Sequence, residues 1–400
     1  MSRCTGRVIE NGLSHNSAFW PARHWRRDSP TAAAVTIPFL MPVCWAPDCR
    51  RTCGSHPGGF PGSLFWMVTV TRPSTAEFAI VGAGIAGLAC ARELQAGGRS
   101  VQLFDKGRRP GGRVATRRLD GGVEFDHGAQ YFTARHPGFQ QWLEPRLAAG
   151  KLAEWSGRLV SLRQGLITPE PSPTTRYVGV PGMSALAAEL ADGLPIHLAD
   201  RVIRFERRGS DWWLQVENTG LCGPYRHLIC ALPAPQGSDL LREHPVDFLP
   251  VMQPVTLSPC WALLLQLEGP LPVDFAGAFV ADSPLRWIAN NSSKPGRPAA
   301  ECWVLHAGPE WSQATFDEPP ATVDAWLRDA FWQAVGCAPQ PVVVSSSQRW
   351  KFAIPPAPLS ERFLVDDRLR LSVCGDWCGG PRVEGAFLSG WELGQHLTDQ

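Results

Sequence analysis

Tyrosine is scarce in this chain. Only Tyr131, Tyr177 and Tyr225 occur among 400 residues, so any aromatic pocket has to be built mainly from its 17 tryptophans and 18 phenylalanines. A charge excess is also missing, with 38 Lys and Arg against 37 Asp and Glu. That argues against a nucleic-acid partner, because binders of polyanions concentrate basic residues. The 12 cysteines are scattered and include no CxxC pair. At this length no secreted disulfide framework is implied. Cys90 falls in an apolar helical pattern and Cys230 in an apolar strand pattern, where cysteine is a small buried hydrophobe. The expectation is a reduced, cytoplasmic protein without a membrane or metal partner.

The length allows two domains or one large one. Residues 1–66 differ from the rest: they are rich in Arg, Trp, Pro and Ser and show no helical or strand period. Three readings compete for them. TAAAVTIPFLMPVCWA behind HWRRDS has the outline of a twin-arginine export signal, but Asp28, Ser29 and Pro30 fit it poorly. The same stretch is too short to span a bilayer and is broken by Pro38 and Pro42. Cys44, Cys49 and Cys53 lack metal-site spacing. The favoured reading is a disordered segment, or a translated leader upstream of a start at Met67.

What the chain does have is glycine in a strict arrangement. EFAIVGAGIAGLACARELQAGG (77–98) reads as strand, tight turn and helix. Phe78 to Val81 suits a buried parallel strand. Gly82 makes the turn, Gly84 lets the backbone approach a pyrophosphate, and Gly87 lets the helix pack on the strand. The helix N-terminus offers free N–H groups and a partial positive charge to phosphates. Gly97 and Gly98 stop the helix. SVQLFDK supplies a second strand ending at Asp105, whose carboxylate is placed to accept hydrogen bonds from ribose hydroxyls. A lone GxGxxG is weak evidence, but here strand, helix and acid frame it. In GRRPGGRVATRR (107–118), Gly111 and Gly112 let the chain double back beside the dinucleotide, and Arg113 can reach a phosphate. A simple nicotinamide dehydrogenase does not need this second wrap, so the pattern favours FAD.

The far end of the chain answers the first. LRLSVCGDWCGGPRVEGAFLSGWELGQHL (369–397) reads as a strand over Leu369 to Val373, with Gly375 and Asp376 at its carboxyl end. Ligands bind outside the carboxyl ends of parallel strands. A glycine loop then opens a helix whose first turn, around Glu384, Ala386 and Phe387, would stabilise negative charge at flavin N1 and O2. Cys374 and Cys378 are spaced CxxxC, which is a poor redox or metal pair.

GAGIAGL, FDKGRRPGGR, FDHGAQYFTAR and GDW…RVEGAFLSG together resemble the bacterial renalases, within the larger flavin amine oxidase superfamily. The resemblance runs from about residue 76 to the end and includes GVPGMSALAAELA, HLICALPAPQ, LRWIANNSSKPGR and QRWKFAIP. It implies an α/β fold: a Rossmann-type (GR2) FAD-binding domain interleaved with an α+β substrate domain, as in p-hydroxybenzoate hydroxylase. The FAD-binding parts would be 76–130, 178–235 and 340–400, and the substrate parts 131–177 and 236–339. It implies non-covalent FAD, with Ala86, Lys106, Arg113, Gln130, Tyr131, Asp376 and Val383 as contacts. These join Gly82, Gly84, Gly87, Asp105, Gly112, Glu384 and Ala386 from the motifs themselves. His127 stands in a slot that varies in the family and receives no role. The implied activity is oxidation of 2- or 6-dihydro isomers of NAD(P) to NAD(P)+, with O2 reduced to H2O2.

Hydride transfer between two rings needs stacking and exclusion of water rather than a strong acid or base. Trp287 and Trp350 lie in family-like segments and are the candidates for that wall. Lys351 could place a cation near flavin N5, although a surface lysine is the favoured reading there. Two other functions compete. A flavin amine oxidase acting on a small amine needs an aromatic cage, which three tyrosines serve poorly. A non-catalytic FAD-binding protein would have lost its substrate pocket while keeping both flavin motifs.

Overall fold

A computed structural model describes residues 71–170 and 174–400. The leader readings for residues 1–66, including Cys44, Cys49 and Cys53, lie outside the described residues.

Short uninterrupted apolar runs form the first layer. FAIV, HLIC and LSVC are buried at every position, which is what a strand covered on both faces requires. They join a six-stranded sheet in the order Ile196–His197, Val101–Phe104, Phe78–Val81, His227–Cys230, Leu371–Cys374 and Phe363–Asp366. All neighbours are parallel except the last pair. The chain leaves Phe78–Val81 toward Val101–Phe104 on one side and adds His227–Cys230 on the other. The carboxyl end of Phe78–Val81 is therefore a topological switch point, where open α/β sheets hold ligands.

Two helices cover one face here, Ile85–Ala96 and the C-terminal Val383–Thr398. Their contact depends on glycine: a Cβ on Gly390 would collide with the Ala86 carbonyl, and one on Gly394 with Glu93. A four-stranded sheet packs nearby, in the order Thr71–Pro73, Gly220–Tyr225, Asp211–Val216 and Val202–Arg208.

The second layer is a seven-stranded sheet built mostly of antiparallel pairs. Its order is Val342–Ile354, Ser258–Leu267, Glu301–Ala307, Leu285–Asn290, Gly277–Ala281, Leu159–Arg163 and Leu166–Pro169. One face packs on the helix Pro320–Val335 through Leu263, Leu265, Ile288, Leu305, Leu327 and Phe331. The other face turns toward the nucleotide-binding part, where Val123 and Phe125 meet Leu264 and Val304. The fold is thus an α/β nucleotide-binding domain interleaved with a second, sheet-based domain. One expected boundary moves. The sequence places 340–400 wholly in the nucleotide-binding part, but Val342–Ile354 is the edge strand of the seven-stranded sheet and pairs with Ser258–Leu267. The expected strand over Leu369 to Val373 runs Leu371–Cys374.

Candidate active site

The two glycine loops have the same local build. Gly82 takes φ 109°, open to glycine and strained for other residues. A Cβ on Gly87 would collide with the Gly82 carbonyl, and a Cβ on Gly385 with the Gly380 carbonyl. In each case a loop carbonyl rests on the bare third residue of a helix, which fixes loop and helix N-terminus together. Gly84 is different: a Cβ there would meet nothing within 4 Å. The space over Gly84 is open, next to the bridge between Gly84 and Gly111. That bare backbone before a helix N-terminus fits a pyrophosphate.

Asp105 ends its strand beside this cradle. Its Oδ2 accepts from the Ala83 N–H at 2.7 Å and its Oδ1 from the Gly107 N–H at 2.6 Å. These bonds fix the carboxylate, and each oxygen keeps a lone pair for a ribose hydroxyl. Lys106, the next residue, is exposed. Ala86 is the second residue of its helix and is buried against the C-terminal helix. Val383 opens that helix and Ala386 lies in its first turn, both partly buried.

Arg113 is held by a carboxylate from the far end of the chain. Its guanidinium grips Asp376 with both Nη atoms, at 2.7 and 2.6 Å, and donates to the Ala353 carbonyl at 2.9 Å. A bidentate carboxylate partner uses the fork geometry of arginine. The pair ties the two glycine motifs together and still leaves Nε–H and one Nη–H uncommitted among the described residues. Gly112 lies beside Gly84.

The side chains of Glu384 and Gln130 are both bonded within the protein. The Glu384 carboxylate accepts from the Arg135 and His136 N–H groups at 2.6 and 2.7 Å. It holds the start of the helix Pro137–Ala148, while the Glu384 backbone belongs to the first turn of its own helix. Gln130 donates to the Asp126 and Gly128 carbonyls and accepts from Lys294 at 3.0 Å. Its carboxamide is used up inside the protein.

Lys294 belongs to a charged cluster that the sequence did not reveal. Asp126, Lys294 and Arg297 have side chains 0, 0 and 1 % exposed. Lys294 Nζ spends its three donors on Asp126 at 3.2 Å, Gln130 at 3.0 Å and Asn291 at 3.0 Å. Arg297 reaches Asp126 at 2.6 Å, and Met183 N–H and Thr116 Oγ1 donate to the same carboxylate at 2.8 Å each. Burial alone would raise the Asp126 pKa, but Lys294 and Arg297 outweigh it and hold the pKa below the ordinary value. Burial pulls Lys294 down to about 8 against the opposing pull of Asp126. They lie in segments that carry the family resemblance, but no local pattern shows that they pair. Asp126 and Lys294 are 168 positions apart, and only tertiary folding pairs them.

Trp287 and Trp350 lie on the sheet face turned toward the nucleotide part. Cross-strand pairs run Phe279 to Trp287, Trp287 to His306, His306 to Ala262 and Ala262 to Gln348. Trp350, opposite Cys260, continues that face. His127 sits above it. Its carbonyl accepts from Trp350 Nε1 at 3.0 Å and faces His306 Nε2 at 3.3 Å, and its ring stacks on Trp350 at 5.0 Å. A carbonyl only accepts, so His306 carries its proton on Nε2. Burial lowers both histidines to about 4, aided at His127 by Arg117. Both are neutral near pH 7. Lys351 follows Trp350 by one residue, so the pleat turns it to the opposite face. It is exposed, with Nζ 5.3 Å from the Phe352 ring. The structure does not bring Lys351 to the site.

An aromatic cluster surrounds Trp287. Tyr131 meets Trp287 at 5.6 Å and Trp155 at 5.9 Å, and Trp287 meets Phe279 at 4.8 Å. The buried Trp287 indole N–H has no hydrogen-bond partner among the described residues. Cys374 and Cys378 are buried free thiols with pKa values raised by burial, which disfavours the reactive thiolate. Among the described residues no group of His, Cys, Asp and Glu could hold a metal, and no helix is long and apolar enough to cross a membrane.

Residues 158–395 match the profile of flavin containing amine oxidoreductases, which is more than half of the chain. The chain belongs to this family. Residues 80–144 match the NAD(P)-binding Rossmann-like domain. Several solved structures share the fold. A putative protoporphyrinogen oxidase from Exiguobacterium sp. 255-15 aligns at TM-score 0.68 and 14 % identity, over 82 % of this chain and all of that one. Putrescine oxidase bound to putrescine gives TM-score 0.62 and 14 % identity, over 83 % and 100 %. Reduced UDP-galactopyranose mutase gives 0.66 and 13 %, over 81 % and 95 %. Within the amine oxidoreductase family, then, this chain is an FAD-dependent oxidoreductase acting on a small molecule. The two loop cradles described above are of the kind that cofactor needs.

Proposed function

We propose that this enzyme oxidises the 2- or 6-dihydro isomers of NAD(P) to NAD(P)+. FAD held by the two loop cradles would supply the hydride acceptor, with O2 as the final electron acceptor and H2O2 as its product. In this reading Gly82, Gly84, Ala86, Gly87, Asp105, Gly112 and Arg113 hold the pyrophosphate and ribose part. Asp376 and the first turn from Val383 to Ala386 hold the remainder, and Gln130 and Tyr131 border it through backbone and ring. Trp287 and Trp350 form the wall on which the substrate ring packs.

The observation that carries the reading is the charge on the aromatic cluster. Arg176 lies 5.5 Å from the Tyr131 ring and Lys294 5.7 Å from the Trp155 ring. A protonated amine would meet these cations where it needs an electron-rich cage. At an effective dielectric near 20, two like charges about 6 Å apart repel by roughly 3 kcal/mol. Asp126 offsets one of the two charges of Lys294 and Arg297, which leaves that cluster one net positive charge, and among the described residues no carboxylate is paired with Arg176. An anionic dinucleotide gains from the same charges.

The test is anaerobic bleaching of the flavin with each donor in turn. Fast reduction by a 2- or 6-dihydro isomer, with slow reduction by ordinary NADH and by amines, is expected. A small amine is the second reading, favoured by the family and by the aromatic wall. Rapid bleaching by an amine, with no response to any dihydronicotinamide isomer, would establish it instead.

A further inference from the structure

Among the described residues, no ion pair accounts for the position of Arg176 beside the Tyr131 ring. It precedes the strand Tyr177–Gly179, which pairs antiparallel with Leu152–Glu154. Glu154 pairs with Tyr177, and the Trp155 N–H donates to the Arg176 carbonyl at 2.8 Å. Side chains alternate across a strand, so Trp155 and Arg176 share one face of this ribbon and Glu154 takes the other. Glu154 is exposed and cannot neutralise Arg176 from there. Tyr131 sits between the two, in contact with Trp155 and under the Arg176 guanidinium. Arg176 is half-buried, and among the described residues its guanidinium makes one hydrogen bond, Nη1 to the Thr174 carbonyl at 3.2 Å. No ion pair holds it among the described residues. An arginine with five donors, one of them committed, stands one ring away from Trp287.

We propose that Arg176 is the anion-recognition residue of the substrate chamber. Its fork of donors takes phosphate oxygens of a phosphate-bearing substrate whose ring packs on Trp287 and Tyr131. Guanidinium suits this task because its planar donors match phosphate oxygens in pairs. The inference rests on the dinucleotide reading above and adds a named residue and a binding chemistry to it. Arg176 also sets a preference between substrates: a phosphate-free nicotinamide riboside would use the aromatic wall but forgo this contact.

The experiment uses FAD-loaded wild type, Arg176→Gln and Arg176→Lys, matched for flavin content. Flavin reduction is followed with 6-dihydro-NAD and with 6-dihydronicotinamide riboside. The Gln variant should raise the half-saturating dinucleotide concentration roughly ten- to a hundredfold. Its limiting reduction rate and its response to the riboside should stay unchanged, and the Lys variant should recover part of the loss. Inorganic pyrophosphate, followed by isothermal titration, should bind wild type in competition with the dinucleotide and bind the Gln variant far more weakly. Equal losses for dinucleotide and riboside, or no loss for either, would overturn the proposal. Should the Gln variant fail to load FAD, wild type and the Lys variant decide. Pyrophosphate binding that competes with the dinucleotide and weakens in the Lys variant supports Arg176, and its absence in wild type overturns it. Bleaching of wild type by amines alone would overturn the dinucleotide reading. Pyrophosphate binding lost in the Gln variant would still support an anion subsite at Arg176, and pyrophosphate binding unaffected there would remove it.

Discussion

At the scale of single residues, the Arg113–Asp376 pair joins motifs 263 positions apart. Removing the Arg113 side chain strips a largely buried carboxylate of two charge-assisted bonds and frees the Ala353 carbonyl. Arg113→Ala is therefore expected to weaken FAD binding by roughly 1.5–3 kcal/mol, the scale of a lost charge-assisted bond. Fluorescence titration of the apoprotein with FAD measures it, and an unchanged affinity removes Arg113 from the site. Trp350 differs, since its ring and N–H engage His127 rather than a glycine loop. Trp350→Ala should slow flavin reduction more than it alters FAD content. A loss of FAD with a normal reduction rate in the remaining holoenzyme would assign Trp350 to the cofactor instead.

This contrast also marks what was legible in the sequence. The glycines and Asp105 act through local backbone geometry, so spacing along the chain reveals them. The side-chain commitment of Glu384, the bond from Lys294 to Gln130, and the buried Asp126, Lys294 and Arg297 are set by partners far away in sequence. A lone lysine in NNSSKPGR gives no sign that it lies fully buried.

At the scale of elements, glycines of one motif have separable roles. Gly87 is needed for the fold, because a Cβ there meets the Gly82 carbonyl, and backbone cannot swing aside as a side-chain end can. Gly84 faces open space and takes an ordinary φ of −77°. Gly87→Ala should thus destabilise the apoprotein by about 1–3 kcal/mol, within the range for overpacked sites. Gly84→Ala should leave apoprotein stability near wild type and weaken FAD binding. Urea unfolding of the two apoproteins, with FAD titration of each, separates them. Equal destabilisation by both variants would contradict the proposed division of labour. The strand–turn–helix frame itself was legible, since Phe78–Val81 and Ile85–Ala96 follow from an apolar run and a glycine period. The edge strand Val342–Ile354 was assigned to the wrong layer. Its membership depends on pairing with Ser258–Leu267, which no local pattern encodes.

At the scale of the whole molecule, every chemical motif lies after Met67, and the first described strand, Thr71–Pro73, pairs with Gly220–Tyr225. A chain started at Met67 should fold, bind FAD and turn over like the full chain, and a soluble but flavin-free product would contradict this. Acid stability tests how the two layers meet. His127 and His306 join the nucleotide part to the seven-stranded sheet, and burial lowers both to about 4. Unfolded histidine titrates near 6.5. Between these values the unfolded chain binds more protons than the native one, so stability rises with pH across that window. The contribution is complete above about pH 6.5 and is lost as pH falls through about 4, at roughly 3 kcal/mol for each histidine. Asp126, with its pKa also lowered, acts in the same direction at lower pH. Lys294, depressed to about 8, adds a second rise in stability from about pH 8 toward the ordinary lysine value, because there too the unfolded state holds the extra proton. Unfolding midpoints in urea should therefore fall steeply from pH 6.5 to 4.5 and stay nearly level from 6.5 to 8. His306→Gln keeps a donor for the His127 carbonyl but cannot titrate, so it should flatten the acid limb by about a third at most, because burial also lowers His227 to about 3 and lowers His244, and both add to the same limb. An acid limb of the same slope in wild type and variant would show that the neutral histidines do not control the junction.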